Sequence, residues 1–142
     1  MTTSTTDGEI AELVHSLVGA YTAKELDQAV ELFTDDAMVV GTGADELRFG
    51  RDEIRAQIER DMSQADALRA TVDGIRIVSR GDAAWLFAHM TAEVTIGEES
   101  LVMEMRFTSA AVRTDVGWRL CQAHFSVPSA AQAEGESFGQ PG

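Results

Sequence analysis

Apolar side chains recur at three- and four-residue steps through Ile10, Leu13, Val14, Leu17, Val18 and Tyr21. That spacing marks one stripe of a helix. Thr22-Ala23-Lys24-Glu25 has the form of a capping box and predicts a second helix that buries Leu26, Ala29, Val30 and Phe33. Asp35 and Asp36 end it. Met38-Val39-Val40 then predicts a short strand, Gly41 to Glu46 a turn-rich connection, and Leu47 to Phe49 another brief strand. From Asp52 to Ala65, the series Ile54, Ile58, Met62 with charges between predicts a third helix.

Beyond residue 70 the period changes. Three turn signals, Arg80-Gly81-Asp82, Gly97-Glu98-Glu99-Ser100 and Thr114-Asp115-Val116-Gly117, separate strand-like runs at 70–79, 84–96, 101–113 and 118–127. Helices first and an antiparallel meander second make the fold class α+β.

Closing each turn on its flanking residues pairs Ser79 with Ala84, Ile96 with Leu101 and Arg113 with Trp118. Counting onward gives one face with the rows Ile77, Leu86, Ala111, Leu120, then Ile75, Ala88, Ser109, Gln122. The rows Asp73, Met90, Phe107, His124 and Thr71, Ala92, Met105, Ser126 follow. Apolar rows giving way to isolated polar groups describe a pocket opening from a core. The opposite face carries Trp85, Phe87, Arg106, Cys121 and Phe125, with His89, Glu93 and Glu104 beside them. So many large apolar groups on one face predict a covering partner, a second copy of the chain. A register shift of one residue would exchange the two faces.

Composition narrows the functions. The chain of 142 residues has 24 acidic and 11 basic residues, a net charge of -13, which disfavours nucleic acid and anionic membrane surfaces as partners. One cysteine, no apolar run of membrane-spanning length and no basic, apolar leader at the N-terminus set the expectation of a cytoplasmic protein. The three histidines lack metal-ligand spacing, so no metal site is expected. Residues 1–7 and 129–142 lack periodicity and are expected to be flexible tails around a domain at 8–128.

Leu32-Phe33-Thr34-Asp35-Asp36-Ala37, Gly50-Arg51-Asp52-Glu53-Ile54 and Gly117-Trp118-Arg119-Leu120 leading to His124-Phe125-Ser126-Val127-Pro128 occur in that order. In these motifs the chain resembles SnoaL-like domains of the nuclear transport factor two-like (ketosteroid isomerase-like) superfamily. The resemblance implies a cone: three helices packed in a strongly curved antiparallel sheet, a hydrophobic pocket at the wide end, and a homodimer through the sheet's outer face. The superfamily holds isomerases, cyclases, epoxide hydrolases, dehydratases and non-enzymes, so membership leaves the reaction open. Aligned on Asp35-Asp36, the isomerase's tyrosine falls at Leu17 and its base near Gly41, and both are missing. The strand of its acidic oxyanion donor offers Met105 and Phe107. A limonene-type epoxide hydrolase would need an Asp, Arg, Asp set, and the inner face supplies Asp73 without an arginine.

Two functions from different classes follow. One is acid-base chemistry on a small apolar molecule without a cofactor, of isomerase, cyclase or dehydratase type, with His124 as proton carrier and Asp73 as its acidic counterpart. Tyr21, Met90, Met105, Phe107, Ser109, Gln122 and Ser126 would line the site, and Asp45, Glu46 and Arg48 would touch a ligand at the rim. The other is a non-catalytic ligand-binding or oligomerisation module. Under it His124 makes a structural hydrogen bond, Tyr21 is a core aromatic, and the methionines fill the core.

Overall fold

In the computed structural model, which describes residues 5–139, the first apolar stripe folds as α1 (Thr6–Ala23). The Thr5 hydroxyl caps it by accepting from the Gly8 amide at 2.9 Å. The capping box after it does not form. Thr22 stays inside α1, where its hydroxyl accepts from the Ala70 amide at 2.8 Å and donates to the Ala70 carbonyl at 3.2 Å. Its capping capacity is thus spent on a neighbouring strand. Lys24, at φ 55°, ends α1 in the left-handed region, and α2 (Leu26–Glu31) follows without a side-chain cap. Phe33, expected on α2, opens β1 (Phe33–Val40) instead.

The remaining elements are β2 (Leu47–Phe49), α3 (Arg51–Gln64), β3 (Ala67–Arg80), β4 (Ala83–Ile96), β5 (Glu99–Thr114) and β6 (Gly117–Ser126). The six strands form one curved sheet in the order β2-β1-β6-β5-β4-β3. The α+β cone stands, with one correction: β1 and β6 pair in parallel, so the sheet is mixed. β2, α3 and β3–β5 lie between these two strands in the chain, and a crossover of that length permits parallel pairing where a tight turn would not. The helices fill the concave face, and Phe107, Ile10, Leu17, Ile54, Leu120 and Val14 are the largest fully buried side chains.

Ser79 opposes Ala84 and Arg113 opposes Trp118 as counted, whereas Ile96 opposes Glu99 through a two-residue turn at Gly97-Glu98. That shift of two keeps the faces. Two β-bulges do not. In β3, Asp73 opposes His89 and Arg76 opposes Phe87, so one extra residue sits at Gly74-Ile75. Gly74 has φ +62°, a conformation that side-chain-bearing residues rarely adopt, and a Cβ there would press on the His89 ring at 3.1 Å. In β6, Ala111 opposes Leu120 while Ala110 opposes Gln122, which leaves Cys121 as the extra residue. Beyond each bulge the side chains exchange faces.

Candidate functional site

The wide end of the cone holds a cavity of about 260 Å³. Leu17, Val18 and Tyr21 of α1 form one wall, and Asp61, Gln64 and Ala65 close it at the end of α3. Leu68, Ala70, Met90, Ala92, Val94, Met103 and Met105 supply the sheet floor, with Ile96 and Leu101 near the β4–β5 tip and Phe125 from β6. Its polar end is shared with an adjoining chamber of about 30 Å³, also lined by Tyr21, Glu46, Asp61 and Phe125.

Asp61 is the chemical centre of that end. The Tyr21 hydroxyl donates to its Oδ2 at 3.1 Å, and Gln57 Nε2, one helical turn earlier, donates to its Oδ1 at 2.8 Å. Arg48 Nε donates to Gln57 Oε1 at 2.9 Å, which fixes the amide's orientation because a guanidinium can only donate. Every donor in this chain therefore points toward Asp61. Burial pushes the Asp61 carboxyl above the ordinary aspartate value, with Glu46 adding in the same direction. The Gln57 and Tyr21 hydrogen bonds and the Arg60 charge pull the other way. Burial, followed by the Asp61 charge, holds the Tyr21 phenol well above its usual value, so it stays a donor at neutral pH.

Glu46 is held from two sides. Arg60 donates to it at 3.2 Å and to Asp45 at 2.8 Å, and the Asp45 carboxyl is lowered chiefly by that hydrogen bond. The glycines of the 41–46 connection make room for it: a Cβ on Gly41 or Gly43 would come within 2.1 or 2.5 Å of a Glu46 carboxylate oxygen. Of the three rim residues, Glu46 reaches the cavity, while Asp45 and Arg48 stand behind it.

Of the residues expected to line the pocket, Tyr21, Met90 and Met105 do so. Phe107 backs the wall from beneath, its ring 5.0 Å from that of Phe125. The β6 bulge relocates Gln122, His124 and Ser126. Ala123 and Phe125 face inward, and His124 lies exposed on the convex face opposite Thr108. Ser126, on that face, accepts from Arg106 at 3.1 Å. Gln122 is half-buried at the bulge outside the cavity wall, and buried Ser109 donates to its carbonyl, stitching the bulge rather than meeting a ligand. The β3 bulge turns Asp73 outward beside His89 and aims Val72 inward. His124 and Asp73 are therefore corrected from pocket residues to convex-face residues, and one cause explains both. Met38, grouped with the other methionines in sequence, is exposed.

Sequence reasoning passed over Asp61 and Gln57. Their signal was present: Ile54, Gln57, Ile58, Asp61, Met62 and Ala65 share one helical stripe, and Gln57 is only 5% exposed. Polar residues at core positions of a helix need partners and mark a site.

The model of the SnoaL-like domain matches residues 10–130. The chain belongs to the SnoaL-like domain family. Solved structures share the fold of this SnoaL-like chain. A Kribbella flavida protein is 20% identical, with a TM-score of 0.80 over 87% of this chain and 90% of its own. An NTF2-like protein of unknown function from Pseudomonas putida KT2440 is 17% identical, with a TM-score of 0.78 over 99% of this chain and 100% of its own. A Novosphingobium aromaticivorans protein provisionally named a scytalone dehydratase is 14% identical, with a TM-score of 0.78 over 85% and 83%. At these identities the likeness shows the fold alone. No curated protein matches the SnoaL-like chain in sequence. No helix among the described residues is long and apolar enough to cross a membrane, and no group of side chains among them is arranged to hold a metal ion.

Proposed function

We propose that the chain binds a small apolar molecule in the wide-end cavity and moves a proton to and from it at Asp61, in chemistry of the isomerase, cyclase or dehydratase type. The observation that carries this reading is a desolvated carboxylate in the wall of an apolar cavity, with the Tyr21 hydroxyl 3.1 Å away. Burial raises the proton affinity of Asp61 toward the range where it both takes and returns a proton. The two groups act together. When Asp61 takes a proton from a ligand carbon, the Tyr21 O–H loses its charged acceptor and turns to a ligand oxygen, where it stabilises the enolate left by the departing proton. Return of that proton at another carbon completes an isomerisation; its delivery to a leaving hydroxyl completes a dehydration.

The test is α-proton exchange of a neutral apolar ketone such as 2-tetralone in D2O, followed by proton NMR. The wild type should accelerate exchange, and Asp61→Asn should lower the rate by about 100-fold or more, the usual range for a positioned acid-base group. Binding without exchange would establish a receptor and remove the enzyme reading.

A second copy covering the convex face belongs to the same reading. Trp85 is 50% exposed there, directly opposite exposed Val78 and two residues from half-buried Phe87. The inward turn of Phe125 removes one member of the face expected from sequence.

A further inference from the structure

We propose that the cavity selects its ligand by charge, taking an apolar molecule that carries one protonated amine in preference to the matching alcohol and rejecting the matching carboxylate. This names the ligand class of the proposed site and rests on the reading of the cavity as a ligand site.

Two carboxylates from separate elements meet at the cavity's polar end, Asp61 from α3 and Glu46 from the β1–β2 connection. Each is positioned from behind. Gln57 and Tyr21 hold Asp61, while Arg60 and the space over Gly41 and Gly43 hold Glu46. A carboxylate offers about four acceptor positions, so both keep accepting capacity after these bonds. The Tyr21 oxygen can also accept while its proton points to Asp61. An ammonium, with up to three N–H donors, matches three such acceptors; an alcohol brings one donor.

The local charge count agrees. Arg60 is committed to Asp45 and Glu46, and Arg48 to Gln57 with Asp45 at 3.9 Å. Asp45, Glu46 and Asp61 thus face only Arg48 and Arg60, and no lysine, arginine or histidine among the described residues lines the cavity. One negative charge is left over. A carboxylate ligand would meet two carboxylates in a poorly solvated space, whereas an ammonium would relieve their repulsion. The net charge of -13 concentrates cations and repels anions around the whole molecule. The opposite wall of leucine, valine and methionine side chains takes the ligand's hydrocarbon part.

Isothermal titration calorimetry with 1-(aminomethyl)naphthalene, 1-naphthalenemethanol and 1-naphthoic acid at neutral pH tests this on the wild type. The amine should bind about tenfold or more tightly than the alcohol, as a partly desolvated charge pair allows, and the acid should show no binding. Asp61→Asn and Glu46→Gln, checked for folding by thermal melting, should each bring the amine toward the alcohol's affinity and leave the alcohol within about threefold. Equal or tighter binding of the alcohol in the wild type would overturn charge selection while leaving the cavity reading intact. An amine preference that survives in both variants would also overturn it. Failure of all three molecules to bind would end both readings together.

Discussion

Asp61 gives up part of its hydration to sit in a cavity wall, and the sign of the consequence follows from its surroundings. Burial is the largest influence and raises its pKa, so the folded chain holds this proton more tightly than the unfolded chain does. The stability it contributes is complete below the unfolded value of about 3.9 and is lost as pH rises through the raised folded value. Asp61→Asn removes that loss. Its amide oxygen can still accept from Gln57, and its NH2 can donate to the Tyr21 oxygen. The variant should melt above the wild type near neutral pH, with the gap closing as both are acidified toward pH 4; a gap that widens on acidification would show that the hydrogen bonds, not burial, dominate. Ser109 presents the opposite case, a buried hydroxyl satisfying the Gln122 carbonyl at the bulge. Ser109→Ala should cost about 1–3 kcal/mol in chemical denaturation, the usual price of a stranded buried acceptor.

At the scale of elements, the bulges decide what the cavity contains. Gly74→Val would place a β-branched side chain at φ +62° and against the His89 ring, and should cost about 1–3 kcal/mol in urea unfolding. Deleting Cys121 joins Leu120 to Gln122, restores simple alternation in β6 and leaves His124 out and Phe125 in, so the variant should keep a cooperative thermal transition. These two sites also mark the limit of what the sequence revealed. Three-residue and four-residue periods located α1 and α3, and turn residues located the meander, because each signal is repeated many times along an element. A bulge is one residue. Gly74 inside a strand was a readable sign of one; Cys121 carries no such sign, since nothing in its chemistry requires it to be unpaired. Counting through it as an ordinary residue reversed the last strand and placed His124, Gln122 and Ser126 in the pocket. Asp61 was legible by another route, as a charged residue on the apolar stripe of α3, where sheet registers have no influence.

For the molecule as a whole, the exposed Trp85 on the convex face predicts self-association. Light scattering at micromolar concentration should give about twice 15.3 kDa, and Trp85→Glu should return the mass to one chain with the fold retained. A variant that keeps the doubled mass would place the contact elsewhere. The parallel pairing of β1 with β6 bears on how the protein is made. The β3–β5 meander can form hairpin by hairpin as it leaves the ribosome, but β1 waits for a neighbour that is synthesised after every other element. Until Gly117–Ser126 emerges, the nascent chain carries two open sheet edges beyond those of the finished sheet, on β1 and on β5, each able to pair with another chain. Phe125 arrives on that same strand, so closing the edges and completing the cavity wall are one late event in the life of the nascent chain.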